Sequence, residues 1–361
     1  MSAAPRSIDP DRLKAFSKQV FGALEGAMTS AMIHLGDRLG LYRVLAEAGG
    51  PLTSAELAER SGLHERWVRE WLHAQGAAGV LEYAGEGRFA LTPEGEVVLA
   101  NEQHPAFGCG LFSSLPNTLS VLDRLPEAFR SGVGLDYDAF GPEGARGVER
   151  GFAPWYRALL VPMALPRVEG LVSALEAGIQ VADVGCGGGV ALIEMARAFP
   201  RSEFHGYDVS KFALDRAERN RAEAGVENVS FHDPREEPMP EDGSVAFVTT
   251  FDCLHDMTDP AGVMKQIRAA ISPDGVWLIA DIKAKDGYEA NVEQNPMAAL
   301  MLGTSVMTCM SSALSEPGGL GLGTLGFHED LARRMTQEAG FGRFELLDLG
   351  HPVNAFYVVR P

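Results

Sequence analysis

The chain has 361 residues, enough for two domains with their own cores, and its 46% hydrophobic content is that of an ordinary folded chain. A formal net charge of -18 with no run of Lys or Arg argues against nucleic-acid and membrane partners. No apolar run approaches the ~20 residues that span a bilayer. The four cysteines, Cys109, Cys186, Cys253 and Cys309, lack metal-ligand spacing, so no metal is expected. Together with a polar Met1–Asp11 start, they fit a cytoplasmic chain without disulfides.

Residues 1–100 predict a helical and winged-helix domain. Arg12 to Leu45 is apolar at helical spacing, through Phe16, Val20, Leu24, Met28, Met32, Leu35 and Leu39. Thr53-Ser54-Ala55-Glu56 is a capping-box signature that opens a short helix, which Gly62 breaks. His64 to Gln75 forms a second helix with Trp67, Val68, Trp71 and Leu72 on one face, so both tryptophans are expected in the core. Val80–Tyr83 and Arg88–Leu91 flank Gly85 and Gly87 and read as a hairpin wing. Between Leu41 and Ala100, nine acidic residues face five basic ones, and the second helix alternates Glu and Arg. A DNA-reading helix needs positive charge around it to offset phosphate repulsion. The expectation is therefore a dimer arm, making a homodimer, or a surface packed on the rest of the chain. A DNA-binding regulator is the reading from another class.

Residues 101–175 scatter Pro and Gly through amphipathic pieces. Leu111–Phe129 and Phe152–Leu175 look helical in part, and the segment reads as a connector or lid over a ligand site.

Residues 176–361 alternate strands and helices. Strands are expected at 180–184, 203–207, 228–232, 245–250, 276–282, 343–349 and 354–359. Such alternation implies an α/β fold with a mainly parallel, Rossmann-like sheet of seven strands. The short turn Gly350-His351-Pro352 pairs the last two strands antiparallel.

The first of these strands runs into Asp183-Val184-Gly185-Cys186-Gly187-Gly188-Gly189, and a helix follows from Val190. Glycines allow a tight turn and close approach to a ligand, and the next helix start points free amides at it. Asp208 ends the second strand, where it can bind a ribose hydroxyl pair. Gly185 and Gly187 fit the dinucleotide fingerprint, but Val190 stands where its third small residue belongs. Asp183, two residues before the first glycine, suits a cationic ligand and has no pyrophosphate to repel. These details favour S-adenosyl-L-methionine over NAD. The pattern D-x-G-x-G-x-G resembles the first motif of class I methyltransferases.

After Val245–Thr250 comes Phe251-Asp252-Cys253-Leu254-His255-Asp256-Met257-Thr258-Asp259-Pro260. Ligands of open α/β sheets bind outside the carboxyl ends of strands, and a histidine there can take a proton. The winged helix, connector and α/β domain resemble the O-methyltransferases of plant phenylpropanoid and actinobacterial polyketide pathways. That resemblance implies His255 as catalytic base, oriented by Asp281 at the end of the fifth strand, and Asp233 at the adenine amino group. The family's supporting glutamate has no counterpart in Gly318-Gly319-Leu320-Gly321-Leu322-Gly323-Thr324. Over nearly the whole chain, F-D-x-x-H-D, C-M-x-x-x-L and G-G-x-G-L-G-T are similar to a group of actinobacterial winged-helix methyltransferases. The implied activity is methylation of a small organic molecule. O-methylation uses His255; N-, S- or C-methylation by proximity alone is the alternative, and a cofactor-sensing regulator is the reading outside enzymes.

Other residues stay open between two roles. His255 is a base, or a residue that hydrogen-bonds the cofactor or caps a helix. Phe251 and Asp252 are placed to line the cofactor edge. Trp155 and Tyr156 cover the sulfonium by cation–π contact or form a hydrophobic seam. Met297, Met301, Met307 and Met310 line an apolar substrate pocket or fill a lid core.

Overall fold

Asp9 opens the first helix, Pro10–Arg38, by accepting the amides of Asp11 and Arg12. The computed structural model describes residues 7–361, so residues 1–6 of the polar start lie outside the described residues. The chain divides into two units, Met1–Leu115 and Pro116–Pro361.

In the first unit the expected single amphipathic helix breaks at Gly40, and a second helix, Leu41–Glu47, follows. The capping box forms as read: the Thr53 side chain accepts the Glu56 amide, and Glu56 accepts the Thr53 amide. Helices Ser54–Ser61 and Glu65–Ala77 pack beside a three-stranded antiparallel sheet. Its strands are β1 (Leu52–Thr53), β2 (Glu82–Gly85) and β3 (Arg88–Ala90), in the order β1-β3-β2, with β2 and β3 as the wing. Tyr42, Leu57, Trp71, Leu72 and Phe89 form the core, and Phe107 and Cys109 join it from beyond residue 100. Trp71 donates its indole N–H to the Met32 carbonyl at 2.9 Å.

Trp67 corrects the expectation that both tryptophans are core: it is 79% exposed. The buried stripe of that helix is Val68, Trp71, Leu72 and Gln75, at i, i+3, i+4 and i+7. Trp67 leads the stripe by one residue and falls outside it. In helix Pro10–Arg38, Phe16, Val20, Leu24 and Met28 recur every four residues and are all exposed.

The second unit is built on a seven-stranded sheet. Its strands are β4 (Gln180–Val184), β5 (Glu203–Tyr207), β6 (Val229–His232), β7 (Val245–Phe251), β8 (Ile271–Ile282), β9 (Arg343–Leu347) and β10 (Asn354–Arg360). Their order is β6-β5-β4-β7-β8-β10-β9, parallel from β6 to β8, with β10 antiparallel to both its neighbours. The inner strands are covered on both faces, which is why they read as continuous apolar runs. Val181, Phe247 and Leu278 enter one core layer; Ala182, Val248 and Trp277 enter the other. The strand order reverses between β4 and β7, so the carboxyl ends there frame a crevice suited to a ligand.

Helix Gly141–Trp155 continues as a π-helical stretch, Tyr156–Ala164, with Pro154 and Pro162 near its ends. Proline removes an amide from the α-helical ladder, which favours the wider turn. Leu160 and Ala164 bury this stretch in the same core as helix Val190–Ala198. Between β8 and β9 lie helices Tyr288–Gln294, Ala298–Met307, Cys309–Ala313 and Glu329–Glu338. Among the described residues no single helix is long and apolar enough to cross a membrane.

Candidate active site

The glycine-rich turn leaves β4 at Val184. The Gly185 and Cys186 amides both donate to the Tyr207 carbonyl, at 2.8 and 3.1 Å, which folds the turn against the end of β5. Gly185 has φ +76°, and a Cβ there would lie 2.7 Å from the Cys253 Cβ. Gly189, with φ +71°, caps helix Val190–Ala198 and leaves room for the Phe231 ring. Both positions require glycine through backbone conformation and space together.

Asp208 closes this arrangement. One carboxylate oxygen accepts the Gly187 amide at 2.8 Å and the other accepts the Ser210 amide at 2.8 Å. Each oxygen keeps a second lone pair for a ligand hydroxyl. Burial pushes the Asp208 carboxyl up, against the pull of those amides, and the Asp138 and Asp233 charges add to the rise. Asp233, just beyond β6, is half-buried and forked onto its own Arg235 at 2.8 and 2.6 Å, which holds its carboxyl low.

Asp183 is buried, and the Thr249 hydroxyl donates to it at 2.7 Å. Burial pushes its carboxyl up to about 7, the Thr249 hydrogen bond opposing and the Asp208 charge adding. Phe251 ends β7, its ring centroid 5.7 Å from Tyr156 and 6.0 Å from Trp155. Trp155 also stacks on Phe356 at 5.4 Å, so it belongs to an aromatic seam. Burial first, then the Asp252 and Asp183 charges, push the Tyr156 phenol well up. Asp183, Gly185, Gly187, Asp208, Asp233, Phe251 and Tyr156 thus gather at the carboxyl ends of β4 to β7.

His255 lies in the short 3-10 turn Leu254–Asp256 that follows β7. Its Nδ1 is 2.7 Å from Asp281 Oδ1, at the end of β8, and both side chains are buried. Asp281 Oδ1 also accepts the Ile282 amide at 2.7 Å, while its Oδ2 is buried without a hydrogen-bond partner. Burial pulls the imidazole pKa down, but the charge and hydrogen bond of Asp281, with Cys309 and Asp256, outweigh it and raise it well above its usual value. Asp252, between Phe251 and the histidine, adopts φ +52° and accepts from the Asn354 side-chain amide. Burial and then the Asp281 charge push its carboxyl up.

The glycine-rich loop 318–324 holds the backbone of the turn that carries His255. Gly323 donates its amide to the His255 carbonyl at 2.9 Å, and Leu320 donates to Thr258 at 3.0 Å. Met301 packs with Ile282, Ala298 and Leu325 in a small core of the insertion. Met307 and Met310 are half-buried, and Met297 is exposed.

Several neighbours have no local sequence signal. Buried Glu149 accepts from Arg216 at 2.8 and 3.1 Å and from Asn220 at 2.9 Å, and Asn220 also donates to the Gly188 carbonyl at 2.8 Å. This network clamps helix Gly141–Trp155 onto the glycine turn. A strap formed by residues 134–138 links both halves of the site. Tyr137 donates to Asp256 at 2.7 Å, Asp138 accepts from Ser210 at 2.6 Å, and the Leu135 amide donates to Ser311 at 2.8 Å.

A Rossmann-like sheet with a glycine turn after β4 and an acid after β5 belongs to the cofactor-binding class of α/β domains. Residues 175–340 match the family model described as a methyltransferase domain, and residues 27–100 match the Rv2258c-like winged HTH domain. The chain therefore joins a winged helix-turn-helix domain to a methyltransferase domain. It is 29% identical over 202 residues to the mitomycin biosynthesis 6-O-methyltransferase of Streptomyces lavendulae, covering 52% of this chain and 54% of that one. It is 38% identical over 101 residues to the ubiquinone biosynthesis O-methyltransferase of Ralstonia nicotianae, covering 27% and 41%. The chain thus spans about half or less of these curated relatives. Human N-acetylserotonin methyltransferase, solved in complex with SAM, superposes with a TM-score of 0.68 at 16% identity, covering 100% of this chain and 99% of that one. At that identity the likeness is one of fold.

Proposed function

We propose that the protein is an S-adenosyl-L-methionine-dependent O-methyltransferase for a small organic molecule, with His255 as general base. The observation that carries this reading is the buried His255–Asp281 pair, set beside the glycine turn at the carboxyl edge of the sheet. The residues fit the cofactor: Asp208 accepts the Gly187 amide of the turn, Asp183 lies on β4 two residues before Gly185, and Tyr156 packs on Phe251. Asp208 takes the ribose hydroxyls, Asp183 answers the cationic aminopropyl end, Gly185 and Gly187 admit the backbone closely, and Asp233 and Phe251 edge the adenosine. When bound, S-adenosyl-L-methionine supplies an electrophilic methyl group on a cationic sulfur.

The substrate hydroxyl gives its proton to the Nε2 of His255, and Asp281 holds Nδ1 and balances the imidazolium that results. The seam of Trp155, Tyr156 and Phe251 keeps water from the reacting atoms. Met307, half-buried, bounds the substrate side, while Met301 fills the core of the insertion. The test is transfer of labelled methyl to a panel of phenols, alcohols, thiols and amines. Hydroxyl acceptors are expected, and His255→Ala should lower turnover by about 10²–10⁴ with cofactor affinity unchanged. Near-normal turnover in His255→Ala overturns the base and leaves positioning alone, as for an amine or thiolate acceptor.

The same reading assigns residues 1–100 to dimerisation, 101–175 to a connector and lid, and 176–361 to catalysis. The exposed stripe Phe16, Val20, Leu24 and Met28 supports a homodimer. On helix Glu65–Ala77, Arg66 and Arg69 pair with Glu70 and Glu65 at 2.6 and 2.5 Å, leaving little free positive charge for phosphate. That supports a protein surface in place of a nucleic-acid or membrane surface. Four buried free cysteines fit the cytoplasm.

A further inference from the structure

The fold gathers three side chains that spacing along the chain hides. One ligand atom each from His255, Asp256 and Cys309 lie within 4.8 Å of one another. Nitrogen, oxygen and sulfur donors together suit zinc and its neighbours; magnesium and calcium prefer oxygen alone. We propose that His255, Asp256 and Cys309 form a binding site for a divalent ion of the zinc class, and that the ion, once bound, silences the base.

The surroundings prepare each ligand. Asp281 engages His255 Nδ1 at 2.7 Å, so Nε2 is the ring nitrogen turned toward Cys309. A carboxylate behind a histidine is the usual support for a metal-binding imidazole, because it fixes the ring and raises its donor strength. Asp281 is itself held by the Ile282 amide. Asp256 Oδ2 accepts the Tyr137 hydroxyl at 2.7 Å, and its other oxygen remains for the ion. Cys309 is buried and starts helix Cys309–Ala313, which Ser311 ties to the Leu135 amide. The Gly323 amide pins the His255 carbonyl at 2.9 Å. The ligands therefore come from two separate segments, each anchored by its own hydrogen bonds. Asp281 Oδ2, buried and unpartnered, adds negative charge nearby that a cation would offset.

Binding sends the Cys309 thiol proton, and any proton held on His255 Nε2, to solvent and leaves sulfur as thiolate and the imidazole neutral. Three protein ligands leave one tetrahedral position open. Zinc and a substrate proton compete for the same Nε2 lone pair, so a filled site cannot act as a base. That consequence rests on the base role proposed above; the binding site does not.

The experiment is a cobalt(II) titration of the full-length chain after chelator treatment. A sulfur-to-cobalt band in the near ultraviolet should grow to one ion per chain and vanish when zinc displaces cobalt. Cys309→Ala should abolish the band, and Asp281→Asn should weaken binding about 10–100-fold. Asp256→Asn keeps the thiol and should also bind more weakly. No band in the wild type, a band that survives Cys309→Ala, or full affinity in Asp256→Asn overturns the site. Zinc at saturation should stop methyl transfer, and a chelator should restore it. Transfer that continues with the cobalt band present overturns the silencing and the base role of His255, while the band still supports the site.

Discussion

Replacing Asp183 with Asn should remove two opposite pH dependences at once. The carboxyl is 2% exposed, accepts the Thr249 hydroxyl, and is pushed up to about 7 by burial from an ordinary value of 3.8. Between those values the folded chain keeps a proton that the unfolded chain releases. Stability of the ligand-free protein therefore falls as pH rises through that window and levels off above it. A shift of about three units at 1.36 kcal/mol each makes the loss about 4 kcal/mol. A cationic ligand reverses the slope, because it selects the carboxylate. Affinity for S-adenosyl-L-methionine should fall about tenfold between pH 8 and pH 6. Asn keeps an acceptor for Thr249 but carries no charge, so Asp183→Asn should bind more weakly at pH 8 and lose this slope. Calorimetric titration at pH 6, 7 and 8, with urea unfolding of the ligand-free protein over the same range, measures both. A wild-type affinity flat across that range, or a slope that persists in the variant, refutes the assignment of Asp183 to the cationic end of the ligand.

Other consequences follow from single contacts. Asp208→Ala should cost roughly 1–3 kcal/mol of cofactor binding in the same calorimetry, through lost hydrogen bonds. Gly189→Ala forces a left-handed residue against Phe231 and should destabilise by about 2–5 kcal/mol in urea unfolding. Glu149→Gln leaves Arg216 without its charge partner; a loss of about 1–3 kcal/mol is expected, discounted because Arg216 is partly exposed. Phe16→Glu with Leu24→Glu should turn a dimer into a monomer in sedimentation velocity, and an unchanged sedimentation coefficient would remove that stripe from the interface.

Legibility in the sequence followed the range of the physics. The inner strands β4, β7 and β8 read as apolar runs, because strands covered on both faces must be apolar throughout, whereas the edge strand β9 is mostly exposed. The glycine turn and Asp208 were legible because their geometry is set within one strand–turn–helix unit. Strand β8 begins at Ile271, earlier than expected, because Pro273-Asp274-Gly275 looks like a turn while Ile271 already pairs with Val245. Trp67 was misplaced by one position of helical phase. Glu149, Tyr137, Asn354 and Cys309 reach the site only through tertiary packing, over separations of 67 to 119 residues for the bonds of Glu149 to Arg216, Tyr137 to Asp256 and Asn354 to Asp252. No local period or spacing encodes such contacts.

The placement of the carboxyls gives the proposed chemistry its direction. Near β4 and β5, Asp183 and Asp208 accept from Thr249, Gly187 and Ser210, and among the described residues no arginine or lysine is bonded to either. That end favours a positive charge. Near β7 and β8, Asp281 is committed to His255, so a proton taken from a hydroxyl arrives at a pair whose net charge rises from -1 to zero. In the proposed reaction the oxygen left behind would be the only new anion, beside the cation that Asp183 and Asp208 would hold. Methyl transfer would cancel both charges, and beside buried aromatic rings an ion pair gains little from solvent. Moving the second acid would change this balance. With Asp281 replaced by Asn, the imidazolium would stand uncompensated, and the proton would be harder to take.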